Sequence, residues 1–304
     1  MAFASRKGRA LKIQFLNGGL ANQVFQYIFA RYYELSHPGD KMYMDDTYFA
    51  TYTVHNGYEL ENVFGVRPHM LSGCFDGKVW NFILEEKRRG KSVPQILQEN
   101  QVDIQMVTEM GNYGDFNPFD GQVFSIPGNG YYPEILDVPG NIYYHGYWIH
   151  KSWFGKYAEA FLQELRFPEI TDERNLRYQD RIRSTHSVSV HVRRGDYVAL
   201  KLELDPEEYR GGMEVFRGQA PGEWHLFVFS DDIGWCRSHA QQLGFGCFSE
   251  ITYVEGNTAG QNFRDMQLMA MCEAMILSNS AFSYLAALLN PGRKYTLNLS
   301  DREL

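Results

Sequence analysis

Cysteine is scarce in this chain. Cys74, Cys236, Cys247 and Cys272 are the four present, with no C-x-x-C spacing and no matched histidine pair. That argues against a zinc site or a dithiol redox motif and leaves buried free thiols in a reducing compartment as the expectation. Long hydrophobic runs are lacking too. Nowhere do about 18 apolar residues follow one another, the length a membrane helix needs. The basic start MAFASRKGRA has no apolar segment of signal length behind it. The expectation is a cytoplasmic protein with at most peripheral membrane association. Positive charge is in deficit: 29 Lys and Arg against 37 Asp and Glu give a net charge of −8. Nucleic-acid binding is therefore not expected, since it needs basic surface. Two nucleotide-binding signatures are also missing. There is no G-x-G-x-x-G, and Gly90-Lys91-Ser92 lacks the upstream glycine of a phosphate loop because position 85 is Glu85. No two aspartates are separated by a single residue, so the D-x-D with which many transferases hold Mn or Mg is absent.

What remains is the composition of a globular protein: 304 residues, 44% hydrophobic and 22% charged, enough for one large or two medium domains. Aromatics reach 15%, which suits either an aromatic core or a sugar-binding cleft. The pattern opens β-α-β, with strands at 11–16 and 41–44 around a helix from about Asn22 to Leu35. Residues 70–140 read as irregular, rich in Gly, Pro and Asn, with Lys87–Lys91 as a solvated helix end. A strand at 142–147 and a helix at 152–165 follow. A boundary near Phe167–Ile170, with Thr171 as N-cap of the next helix, divides the chain into domains 1–167 and 168–304. Beyond it, helices and strands alternate: helices at 172–184, 206–217, from Asp232 to about Leu243, at 263–275 and from Ser280, with strands at 187–193, 224–229, 251–254 and 293–297. Alternation of this kind predicts mostly parallel sheets covered on both faces, hence two Rossmann-like α/β domains facing a central cleft.

The most informative stretch is SVSVHVRRGDY, Ser187–Tyr197. Val188, Val190 and Val192 alternate with Ser189, His191 and Arg193, a strand with one apolar and one polar face. It ends in Arg193 and Arg194, and the carboxyl ends of strands are where open α/β sheets bind ligands. Two guanidiniums there point to an anion, with phosphate favoured by bidentate geometry; a surface arginine pair is the alternative. Ser278-Asn279-Ser280-Ala281-Phe282 supplies a helix start at Ser280, either a simple cap or a second wall for the same anion. Asp231 and Asp232, after the strand ending at Phe229, suit a metal, a ribose diol, a base edge or a helix cap. Asp265 could accept from a guanine edge or only complement its helix dipole. Asn17-Gly18-Gly19-Leu20-Ala21-Asn22 permits close backbone approach to a ligand. Tyr147, Trp148 and Trp153 offer sugar stacking or core packing. Arg194-Gly195-Asp196 also spells an adhesion tripeptide, which would need a flexible loop on a secreted protein.

With HVRRGDY, GGLANQ, FSDD and SNSAFS together, the chain resembles glycosyltransferase family eleven, the α-1,2-fucosyltransferases, in a bacterial type without the N-terminal anchor of animal members. The H-x-R-R-x-D signature is met by His191, Arg193, Arg194 and Asp196; GGLANQ carries Ala21 where the family has Gly. Gly146–Trp148, Val254–Asn257 and Asp265–Leu289 match as well, while Tyr284-Leu285 departs from a usually Trp-rich pattern. The resemblance implies a GT-B fold, GDP-β-L-fucose as donor, a galactose 2-hydroxyl on a glycan as acceptor, inversion, and no metal or other cofactor. It implies Arg193 as β-phosphate ligand supported by Arg194 and His191. Gly19, Asn22, Asp231, Asp265, Ser278, Asn279, Ser280 and Phe282 would bind the donor, and Asp196 would be either the base or a buttress. Fucosyl transfer of another linkage, or a non-catalytic nucleotide-sugar or glycan-binding protein, remains the alternative.

Overall fold

The computed structural model describes residues 10–50, 56–109 and 123–300. The segment GNYGDFNPFDG, read as irregular, and the start of the chain before Ala10 lie outside the described residues. The chain divides into two compact units, Met1–Glu164 and Leu165–Leu304.

In the first unit, β1 (Lys12–Phe15), α1 (Leu20–Ser36) and β2 (Met42–Asp45) form the expected β-α-β opening. Then come α2 (Leu60–Phe64), α3 (Gly77–Arg88), α4 (Val93–Glu99), β3 (Ile104–Glu109), β4 (Val123–Ile126), β5 (Asn141–His145), α5 (Lys151–Gly155) and α6 (Ala158–Glu164). All strand pairs are parallel, in the order β2-β1-β5-β3-β4. The expectation of irregular chain over 70–140 is corrected here. Asp76 caps α3 by accepting from the Lys78 and Val79 N–H groups, and Ser92 caps α4. Val79, Ile83, Val93, Ile96 and Leu97 from these helices pack on Ile13, Phe15 and Met106 of the sheet. The basic run ends α3, with Lys87 and Arg88 in its last turn, where cations complement the helix dipole. The helix expected over 152–165 is two short ones, α5 and α6.

The second unit runs α7 (Glu173–Ser184), β6 (Ser187–Val192), α8 (Gly195–Leu200), α9 (Pro206–Gln219), β7 (His225–Ser230), α10 (Ile233–Ser238), β8 (Glu250–Tyr253), α11 (Phe263–Met269), β9 (Ala274–Leu277), α12 (Ala281–Leu288) and β10 (Tyr295–Asn298). Its sheet is again parallel, in the order β10-β9-β6-β7-β8. β6 is therefore the central strand, and all six of its residues are buried. This corrects the one-faced reading: a parallel strand covered by helices on both sides has no solvent face, and Ser189 and His191 are interior. Asp172 rather than Thr171 caps α7, accepting from the Asn175 N–H. The helix expected to run to Met275 stops at Met269, because the apolar residues Ala274–Leu277 form β9, buried beside β6.

In the first sheet β1 leads to β2 on one side, β3 and β4 build outward on the other, and β5 returns to lie between β1 and β3, so the chain reverses across it more than once. In the second sheet there is one reversal, between β6 and β9. Open α/β sheets bind ligands outside the strand ends at such points. In the second unit the residues there are Arg193–Asp196 and Ser278–Phe282.

Candidate functional site

A cavity of about 490 Å³ opens at the strand ends of the second unit, lined by His191, Arg193, Phe229, Ser230, Asp231, Asp265 and Phe282 together with the segment 254–259. Arg193 leaves β6 at its carboxyl end. One guanidinium nitrogen is 2.8 Å from Asp231 Oδ2, and another donates to Asp196 Oδ1 at 2.5 Å. Asp231 does more: its Oδ1 accepts from the Arg194 backbone N–H at 2.9 Å. A side chain at Gly195 would place its Cβ 2.5 Å from Asp231 Oδ2. The carboxylate and the glycine together fix the turn that aims Arg193. Asp231 and Asp232, left open as metal ligands by the sequence, are engaged by the two arginines.

Arg194 does not line the cavity. Its guanidinium lies 3.7 Å over the Trp235 ring and its Nε donates to Asp232 at 3.3 Å. Cation–π contact and ion pair hold it on the α10 side. Arg194-Gly195-Asp196 occupies the start of α8, not the flexible loop an adhesion motif needs.

His191 is buried, and burial with the nearby Arg193 charge lowers its pKa to about 3. The neutral ring shares a hydrogen bond with Ser278 Oγ at 2.9 Å and lies 5.5 Å from the Phe282 ring. Ser278 is thus a partner behind the cavity wall. Ser280 caps α12, accepting from the Phe282 N–H at 3.2 Å, and Asn279 donates to the Leu202 carbonyl. Of this segment, Phe282 lines the cavity.

Asp265, in the first turn of α11, opens onto the cavity. Burial pushes its pKa up to about 7, against the pull of a hydrogen bond from Asn257. Asn257, Gly256 and Glu255 were noted in the sequence only for their resemblance and not as site residues. The signal was available: β8 ends at Tyr253, and a polar Gly-containing segment after a strand is where a ligand loop belongs.

Gly19 and Asn22 lie in the first unit, at the start of α1. Gly18 has a φ of +78° and no room for a side chain, since a Cβ would sit 2.5 Å from Asn22 Nδ2. The neighbouring strand ends are tied by amides that sequence reading missed. Gln26 donates to Asn17 Oδ1 at 2.5 Å and accepts from the Asn17 N–H at 3.1 Å. After β5, Glu109 Oε2 accepts the N–H groups of Tyr147 and Trp148 at 2.6 and 2.9 Å. Trp148 has a φ of +56°, in the left-handed region a large side chain avoids. Its ring is fully buried, stacked on Phe29, with Nε1 donating to Gln14 at 2.8 Å. Trp148 and Trp153 are core residues; Tyr147 is partly exposed.

The model of glycosyl transferase family 11 matches residues 119–302. The chain belongs to that family. It is 28% identical over 290 residues to an α-1,2-colitosyltransferase of Escherichia coli, covering 94% of this chain and 88% of the relative. It is 29% identical over 126 residues, 39% of this chain and 32% of the relative, to galactoside 2-α-L-fucosyltransferase SEC1 of Bos taurus. Among solved structures, a point mutant of Arabidopsis thaliana FUT1 in complex with GDP shares the fold, with a TM-score of 0.52 and 14% identity over 96% of this chain and 70% of that one. This family 11 glycosyltransferase has, among its described residues, no helix long and apolar enough to cross a membrane.

Proposed function

We propose that this glycosyltransferase moves L-fucose, with inversion and without a metal, from GDP-β-L-fucose to the 2-hydroxyl of a galactose-containing glycan. A GT-B organisation, with an acceptor-side first unit and a donor-binding second unit, is part of the proposal, as is a cytoplasmic site of action. The observation that carries it is Arg193, a guanidinium fixed by two carboxylates on the wall of a switch-point cavity. The cavity also presents Asp265, which accepts only when ionised and is then suited to the donor edge of guanine. Gly19 and Asn22 keep the donor-directed role that their motif implies.

Attack of the acceptor 2-hydroxyl oxygen on the sugar C1 forms the glycosidic bond, releases the hydroxyl proton to water and breaks the C1 bond to the diphosphate oxygen, passing through an oxocarbenium-like state while negative charge grows on the leaving diphosphate. A guanidinium about 4 Å away contributes on the order of 4 kcal/mol at an effective dielectric near 20. Only the part that strengthens on the way to the transition state accelerates the reaction. Because Arg193 is already oriented, no reorganisation is needed when the charge develops. Asp196 acts as buttress in this scheme, since its carboxylate is held by Arg193.

Colitose is the 3-deoxy counterpart of L-fucose, and the colitosyltransferase relative favours it as a second donor reading. Assays with GDP-fucose and GDP-colitose, a panel of β-galactosides and excess EDTA decide between them, with product linkage read by NMR. An α-1,2-fucosyl product at undiminished rate in EDTA is expected. Activity abolished by EDTA and restored by Mn would defeat the metal-free scheme, and GDP binding without turnover on any galactoside would make the protein a binding module.

A further inference from the structure

The cavity carboxylate Asp265 is not an isolated side chain. Its Oδ1 accepts from Asn257 Nδ2 at 2.8 Å. The other hydrogen of that amide goes to Asn175 Oδ1 at 2.9 Å, and Asn175 Nδ2 returns a bond to Asn257 Oδ1 at 2.8 Å. Asn175 is buried on α7 and spends its remaining hydrogen on Asp172, at 3.1 and 3.0 Å from the two carboxylate oxygens. All four amide hydrogens of the asparagine pair are used.

The sense of this chain is set at its far end. An ionised carboxylate only accepts, and Asp172 is kept ionised by the Asn175 backbone and side-chain N–H groups, which hold its pKa below the usual range. Asp172 therefore requires Asn175 to turn its NH₂ toward it. Asn175 Oδ1 then faces Asn257, and Asn257 must present an N–H to Asp265. Were either amide reversed, Asn257 would offer an oxygen to Asp265, a contact only the protonated acid can satisfy. Asp265 Oδ2 takes no hydrogen bond from the described residues and is left to the cavity.

We propose that Asp172, Asn175 and Asn257 are positioning residues that orient Asp265 with one oxygen aimed at the nucleotide base, and so set the preference for guanine. This rests on the guanosine-donor reading above. Guanine carries adjacent N1–H and exocyclic NH₂ donors, which a carboxylate can accept together; hypoxanthine lacks the NH₂, and uracil presents a different edge.

Titration calorimetry of the full chain with GDP, inosine diphosphate and UDP tests it. Wild type is expected to bind GDP at least about tenfold more tightly than inosine diphosphate, the 1.4 kcal/mol of one well-made hydrogen bond. In Asn175→Leu and Asn257→Leu the ratio falls to within about twofold. Asp172→Asn keeps an N-capping side chain, so α7 stays capped while the demand that orients the amides is lost; its ratio also falls. Asp172→Asn decides the matter if a leucine variant fails to fold. An unchanged GDP-to-inosine diphosphate ratio in Asp172→Asn at wild-type Tm overturns the relay. A wild-type ratio near one with GDP still far tighter than UDP overturns this inference alone, whereas equal GDP and UDP binding removes the guanosine reading itself.

Discussion

Gly195 lacks a side chain where Asp231 approaches most closely, and the consequence is measurable. In Gly195→Ala the new Cβ, 2.5 Å from Asp231 Oδ2, displaces the carboxylate from Arg193. Turnover is expected to fall roughly tenfold with little change in Tm, because a preorganised charge is mis-aimed rather than removed; wild-type kcat in this variant would show that Asp231 does not aim Arg193. Asp265 sets function against stability. Its folded pKa of about 7 stands above the unfolded 3.8, so folding stability is fullest below pH 3.8, is lost as pH rises toward 7, and is flat above. Asp265→Asn should therefore gain on the order of 1 kcal/mol at pH 8 and little at pH 4 in denaturant titrations, while losing tenfold or more in GDP affinity. Wild-type GDP affinity should rise by roughly tenfold from pH 6 to pH 8 as the carboxyl ionises, a slope absent from Asp265→Asn. The same slope in both proteins would assign it to the nucleotide.

The turn after β5 is built by Glu109, which accepts two successive backbone N–H groups and holds Trp148 at its positive φ. Glu109→Ala leaves the Tyr147 and Trp148 N–H groups without that acceptor and should destabilise the protein by about 2 to 3 kcal/mol. Near-neutral stability in urea denaturation would contradict that role. Elements differ in how readable they were. β6, β7 and the start of α12 were legible because β-branched and aromatic runs end in polar turn residues. The α3–α4 region was not, since GNYGDFNPFDG and the segment at 127–133 dominated a reading by composition. The signals at Asp76 and Ser92, single caps before short amphipathic helices, were weaker than the glycines and prolines downstream. Burial of β6 on both faces was also hidden, because Ser189 and His191 alternate like surface residues, and only the central place in the sheet makes them interior. Within the site, strand ends mark Arg193 and Asp231, the polar alternation of β6 marks His191 and a helix start marks Asp265, but the partners of each side chain depend on loops from other strands. Nothing in the local sequence turns Arg194 toward Trp235 and Asp232 or brings Asn175 of α7 to Asn257.

Across the whole molecule, His145 and His191 are both buried and held neutral, each with a pKa lowered to about 3. Their unfolded forms protonate near pH 6.5, so the stability they allow is present above that pH and lost as pH falls toward 3. Each loses on the order of 2 kcal/mol by pH 5. Asp265 works in the opposite direction over the same interval and offsets part of this. Denaturant titrations at pH 7 and pH 5 should show a steeper acid loss for Asp265→Asn than for wild type; parallel losses would refute opposed titration. The same arrangement frames the functional account, in which the second parallel sheet reverses once, between β6 and β9, and carries there the charge proposed to stabilise the leaving diphosphate.

The most direct test is steady-state kinetics of Arg193→Ala with GDP-fucose and a β-galactoside. The account predicts turnover at least about a hundredfold lower with the fold intact, and near-normal turnover would contradict it.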